Sequence, residues 1–257
     1  MDFEHVPDKA VDSACRCGNH AAPPALDDNA ANVARRGFLR IAVAGTVVGA
    51  VAGAIAPPPP AEAAEESPDA AIKAMLNGNE RYVSGQLKSL EEDLSILKAK
   101  TAEKQEPFAA VLSCADSRVP VEIVFDQSIG HLFVVRIAGN IVTPEIMASL
   151  EYGVAVLGAK AIMVLGHGNC GAVKAAIEGK AVPGQISALY APIRPAVNEA
   201  MNEAGSKLDA AIDANARIQA ALLSTASPII VGAIKEQKLK VVPARYDLAS
   251  GKVSLLA

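Results

Sequence analysis

The sequence predicts an α/β fold: a mostly parallel β-sheet with flanking helices, an N-terminal helical arm and C-terminal edge strands. Three apolar runs, "FAAVLS" (108–113), "LFVVRI" (132–137) and "AIMVLG" (161–166), are short, nearly continuous and closed by polar residues or glycine, as buried strands are. Stretches of helical character separate them, and strands alternating with helices imply right-handed crossovers and parallel pairing. With 257 residues, 51% of them hydrophobic, the chain is long enough to bury one sizeable core.

Residues 1–63 read as leader and export signal rather than fold, leaving 64–257 as one domain. "ARRGFLR" carries Arg35, Arg36 and Arg40, and "IAVAGTVVGAVAGAIA" (41–56) then runs without a charge up to four prolines. A basic region, an apolar region and the small residues Ala61-Glu62-Ala63 follow the order of a cleavable signal. The paired arginines resemble the twin-arginine type, which implies passage through that export machinery and a periplasmic or other extracytoplasmic location. Uncleaved, residues 41–56 would act as a membrane anchor, although sixteen residues are short for a hydrocarbon core of roughly 30 Å. Upstream, "CRCGNH" groups Cys15, Cys17 and His20, at most three ligands in a polar segment without a core, and it reads as disordered leader.

In the domain, 69–85 places Ile72, Leu76 and Tyr82 at helical spacing behind a Pro68-Asp69 start. Leu90, Leu94 and Leu97 extend the pattern over 87–100. Helices are expected over 120–127 and over 144–157, where Thr143 caps and Pro144 takes the first helical position. Another begins at Ala172. "ISALYAPIRPAVNEAM" (186–201), "LDAAIDANARIQAALLS" (208–224) and "PIIVGAIKEQK" (228–238) supply the last helices. "LKVVPARYDL" and "KVSLLA" close the chain as a strand pair around "ASGK". A formal charge of −4 and a pI near 5.6 leave no basic excess for a polyphosphate backbone, which argues against nucleic acid as a partner.

In open parallel sheets ligands gather outside the carboxyl ends of the strands. "SCADSR" brings Cys114, Asp116 and Arg118 to the end of the first core strand, and "GHGNCG" brings His167 and Cys170 to the end of the third. Two thiolates and an imidazole suit zinc, and three protein ligands leave a fourth position for water, whose pKa the metal lowers to about 7. Arg118 would keep Asp116 ionised, either to accept the hydroxide's proton in a hydrogen bond or to ligate the metal itself. Gly166, Gly168 and Gly171 would let the backbone pass close to the metal and start a helix whose N–H groups face an anion. The residues alone leave three alternatives open: a Cys114–Cys170 disulfide, a plain turn around His167, and a surface ion pair for Asp116 and Arg118. Folding in a reducing cytoplasm before twin-arginine export favours metal over the disulfide.

"SCADSRVPVEIVFDQSIGHLFVVRIAGN" (113–140), "ASLEYGVAVLG" (148–158) and "GHGNCGAV" (166–173), in this order and spacing, resemble a β-class carbonic anhydrase, and the resemblance runs from about residue 69 to the end. It implies one zinc ion per subunit on Cys114, His167 and Cys170, a catalytic dyad of Asp116 and Arg118, and reversible hydration of carbon dioxide to bicarbonate and a proton. It also implies a substrate pocket of Gln105, Phe133, Tyr152 and Gly168, partly from a neighbouring subunit, and a homodimer or dimer of dimers with the first helices packed on the partner. In the family's other subtype a tryptophan replaces Val111, and bicarbonate at a separate site drives the aspartate onto zinc as a fourth ligand. This chain has no tryptophan. His131 and Ile137 depart from the family pattern, and His131 reads as a loop histidine or a proton relay. Hydrolysis of carbonyl sulfide or carbon disulfide at the same zinc, or a non-catalytic zinc protein, are the alternatives.

Overall fold

The computed structural model describes residues 67–89 and 94–257. The expectations for the leader, including Cys15, Cys17, His20, the arginines and the 41–56 run, lie outside those residues, as does Leu90. The elements run α1 (Pro68–Val83), α2 (Leu94–Thr101), β1 (Ala109–Ser113), α3 (Val121–Val124), β2 (Leu132–Arg136), α4 (Pro144–Ala155), β3 (Ala161–His167), α5 (Gly171–Glu178), a 3₁₀ turn (Ile186–Leu189), α6 (Tyr190–Ala200), α7 (Lys207–Ala226), α8 (Pro228–Lys235), β4 (Lys240–Tyr246) and β5 (Val253–Leu255).

The strands form one five-stranded sheet in the order β2-β1-β3-β4-β5, parallel throughout except for the antiparallel β4–β5 pair. β5 and β2 are its edges, and β4 pairs on both sides. Alternation along β1 shows how the layers divide. Ala109 and Val111 face a core shared with α1 and α3, whereas Ala110 and Leu112 face one built by α4, α7 and α8. A third cluster lies beyond the carboxyl ends of the strands, where α5, α6 and α7 enclose Cys114 and Cys170. Central strands covered on both faces need apolar side chains at every position, which is why the runs that form β1 and β3 are continuous rather than alternating.

α1 begins as expected: the Ser67 hydroxyl accepts the Ala70 N–H at 3.1 Å and Pro68 follows it. Its buried face is Ala71, Ile72, Met75, Gly78 and Asn79, and it packs on the sheet of its own chain. Gly78 makes that packing close: a Cβ there would lie 1.7 Å from the Phe125 carbonyl oxygen. Gly78→Ala is therefore expected to lower stability by about 1–3 kcal/mol from overpacking, against a helix-propensity gain of about 1 kcal/mol, in urea unfolding. Beside it Asn79 joins α1 to the C-terminal hairpin, donating to the carbonyls of Val124 and Gly251 and accepting the Val253 N–H.

Two predicted helices are shorter than expected, for one shared reason. The helix expected from residue 87 is absent over 87–89, because the Lys88 and Ser89 N–H groups turn to the Asp126 carboxylate instead of entering it, and its described part is α2. α3 stops at Val124, and Asp126 then takes a left-handed conformation with φ 46°. The Asp126 carboxylate also accepts from the Ser89 hydroxyl and from the Arg81 guanidinium. Burial opposes its ionisation, but the hydrogen bonds from Ser89, Arg81 and Lys88 outweigh that and hold its pKa down to about 2. A depressed folded pKa gives stability that is present above the unfolded value near 3.9 and lost as pH falls towards about 2. Asp126→Asn should remove this contribution, so the gap in urea midpoint between variant and parent is expected to narrow from pH 5 to pH 2.

Candidate metal centre

β1 and β3 are adjacent and parallel, with Ser113 opposite Leu165, so the residues just beyond their ends fall side by side. Cys114, His167 and Cys170 are all buried, and their ligand atoms lie within 4.8 Å of one another. The two Sγ atoms are 4.0 Å apart, close to the roughly 3.8 Å between two sulfurs each about 2.3 Å from a tetrahedral ion. A disulfide needs about 2.05 Å, and both cysteines are free. The His167 ring bonds the Gly168 carbonyl through Nδ1 at 2.9 Å, which fixes the proton there and leaves Nε2 as the lone-pair atom. That Nε2 is buried without a hydrogen-bond partner. An orphaned imidazole nitrogen beside two close thiols is the arrangement a soft or borderline cation such as zinc would complete.

The sulfurs are not equivalent. The Cys170 thiol and the Gly139 N–H both face the Cys114 sulfur and favour its thiolate, while the hydrogen bond to Cys114 and burial push the Cys170 thiol up. Cys170 sits at the N-cap of α5, and the N–H groups of Ala172 and Val173 favour its thiolate. The helix start expected to face an anion therefore faces the Cys170 sulfur.

Asp116 and Arg118 stand at the open side of the cluster. Arg118 Nε donates to Asp116 Oδ1 at 2.9 Å and Nη2 to Oδ2 at 2.7 Å, while the Arg118 N–H also reaches Oδ1 at 3.0 Å. These bonds hold the Asp116 carboxyl well below the usual carboxylate range. Oδ2 is 3.9 Å from His167 Nε2, so the carboxylate borders the space the three ligand atoms define.

The expected glycine roles shift. Gly166 makes room for α7, since a Cβ there would meet Ile212 Cγ2 at 3.3 Å, and nothing lies within 4 Å of one on Gly171. The left-handed turn is made by Asn169, φ 52°. Gly168 continues the ladder, its N–H donating to the Tyr246 carbonyl at 2.9 Å.

Of the expected pocket residues Gly168 adjoins His167, whereas Phe133 and Gln105 of the same subunit lie towards the amino end of the strands. Phe133 is in register with Ala110, four residues or about 13 Å of strand before Cys114, and its ring is 6.2 Å from that of Tyr152. Gln105 is exposed ahead of the amino end of β1. His131 packs on Phe108, about 20 Å of extended chain from Cys114, so within one subunit it does not relay protons to the cluster. Conversely, Arg136 was passed over in the sequence, although a cation closing an apolar strand at the carboxyl edge was the available signal. Its guanidinium donates to the carbonyls of Cys114 at 2.9 Å and Asp116 at 2.6 Å, clamping the segment that carries both.

Residues 109–253 match the family described as carbonic anhydrase. Carbonic anhydrase 2 of Mycobacterium tuberculosis is 35% identical over 193 residues, covering 74% of this chain and 93% of that protein. A carbonic anhydrase of Pseudomonas aeruginosa is 38% identical over 168 residues, 60% of this chain and 76% of that protein. Among solved structures, a Coccomyxa β-carbonic anhydrase in complex with acetazolamide matches with a TM-score of 0.57 and 29% identity, covering 72% of this chain and 86% of that one. A tetrameric β-carbonic anhydrase of Sordaria macrospora shares the fold with a TM-score of 0.60 at 24% identity, covering 72% and 96%. A sequence that matches so much of its length, on this sheet and with this cluster at its carboxyl edge, belongs to the β-class carbonic anhydrase family.

Proposed function

We propose that the chain catalyses reversible hydration of carbon dioxide to bicarbonate and a proton, with one zinc ion held by Cys114, His167 and Cys170. The observation that carries this is the convergence of three buried ligand atoms, one of them an orphaned Nε2, beside an arginine-bound carboxylate. Zinc, when bound, lowers the pKa of a coordinated water to about 7 and so supplies the nucleophile at neutral pH. Asp116, kept ionised by Arg118, accepts a hydrogen bond from that nucleophile and fixes its direction. An open fourth ligand position is supported by both Asp116 oxygens being engaged by Arg118, and by Val111 standing where the closing subtype has tryptophan.

Gln105, Phe133 and Tyr152 line the pocket of a second copy, with Gly168 beside the ligand His167, in a homodimer or dimer of dimers. What supports an assembly is the face along β2, which pairs only with β1 among the described strands, and α4 with its C-cap, where Tyr152 is 47% and Val156 64% exposed. Residues 1–63 are an export leader and 64–257 act outside the cytoplasm, supported by Arg35 and Arg36, the uncharged 41–56 run and the small residues ending at Ala63.

Metal analysis and stopped-flow hydration on the purified full chain, and on the chain from Ala64, test the reading. Stoichiometric zinc with rapid hydration supports it. Zinc without turnover, or turnover faster on carbonyl sulfide than on carbon dioxide, overturns it.

A further inference from the structure

The buried face of α7 is apolar apart from two amides one turn apart, Asn215 and Gln219, which are 1% and 2% exposed. Two amides placed where leucine would bury more cheaply need partners, and theirs converge on the segment joining β2 to α4. Asn215 Nδ2 donates to the Gly139 carbonyl at 2.8 Å. Gln219 Oε1 accepts the Val142 N–H at 2.8 Å, and its Nε2 lies 3.3 Å from both Asn215 Oδ1 and the Pro192 carbonyl. The held segment is the one that reaches the cluster, because the Gly139 N–H donates to Cys114 Sγ at 3.3 Å.

Gly139 has little freedom to point elsewhere. Its φ is +78°, which favours glycine, and a Cβ would meet Ile193 Cδ1 at 2.8 Å and Ala172 Cβ at 3.3 Å. With its carbonyl fixed by Asn215 and its flanks closed by α5 and α6, its amide is aimed at one sulfur. An N–H donor on a thiolate ligand draws off charge and fixes the lone-pair direction, so it tunes the bond from sulfur to metal.

We propose that Asn215 and Gln219 are positioning residues for the metal site, acting through the Gly139 amide on the Cys114 sulfur. The proposal rests on the metal reading above. It assigns α7, which supplies no ligand, a share in metal affinity.

The test uses the full chain loaded with zinc or with cobalt(II), whose charge-transfer band reports the sulfur–metal bond. Asn215→Leu is expected to weaken zinc binding by about 10- to 100-fold in chelator competition and to shift the cobalt band. Gln219→Glu, which keeps the acceptor for Val142 and loses the donor to Asn215, should move both in the same direction by less, and it carries the test where Asn215→Leu does not fold. Variants that lose thermal stability yet bind zinc within about two-fold of the parent, with the band unmoved, overturn the proposal by showing only structural glue. A parent chain that binds neither metal overturns the proposed function itself, and with it this inference.

Discussion

Cys170→Ser is expected to abolish stoichiometric zinc binding and to reduce carbon dioxide hydration by at least about 1,000-fold, because a bound water with pKa near 7 gives way to bulk water at 15.7. Cys170 is buried at the start of α5 with its sulfur 4.0 Å from Cys114 Sγ, so its loss removes one of two adjacent thiolates. Serine offers a harder oxygen that stays protonated at neutral pH, and two protein ligands do not make a tetrahedral site. Because ligands that bind only the folded state stabilise it, the zinc-dependent part of the thermal midpoint should vanish as well. The protein should still fold, since Cys170 bonds to no other segment covalently and the sheet core lies in other clusters. The measurements are metal content, stopped-flow hydration and melting with and without added zinc. Full hydration activity in a Cys170→Ser protein free of metal would refute the zinc reading.

What the sequence made legible follows from which interactions are local. The three apolar runs became β1, β2 and β3; β1 and β3 are buried at every position and so carry their burial in consecutive residues, whereas β2, at the sheet edge, is only half-buried. Thr143 caps α4 as expected, its hydroxyl taking the Ile146 N–H three positions on. Cys114 and His167 met because adjacent parallel strands carry their carboxyl ends to one rim. The misses depended on distant partners. Residues 87–89 stay out of the expected helix because Asp126, thirty-seven and thirty-eight residues on, captures two N–H groups. Gly166 looked like a residue yielding to a metal and instead yields to Ile212 of α7. Arg136 and Asn215 escaped notice because each acts on a backbone carbonyl, and a carbonyl leaves no mark in residue type.

Asp116→Asn is expected to separate metal binding from turnover: zinc content should stay stoichiometric while kcat falls by about 100- to 10,000-fold, the range for a lost proton acceptor. Asparagine keeps the size of the side chain, so Arg118 can still bond its one oxygen. The amide nitrogen is then left towards the metal site, where it donates, and the nucleophile finds a donor facing its own proton. Arg118→Ala tests the other half of the pair. The ordinary aspartate pKa near 3.9 keeps Asp116 ionised at neutral pH even without the arginine, so the loss there is of direction rather than charge. Arg118 fixes the carboxylate through two side-chain bonds and one backbone bond, and only the backbone bond survives its truncation. A smaller fall in kcat is expected, about 10- to 100-fold, with an acid limb of the pH–rate profile moving up as the carboxyl loses the bonds that hold its pKa down. If Asp116→Asn retained full kcat with zinc bound, the carboxylate would not orient the nucleophile, and the bonds from Arg118 would be those of an ordinary surface pair.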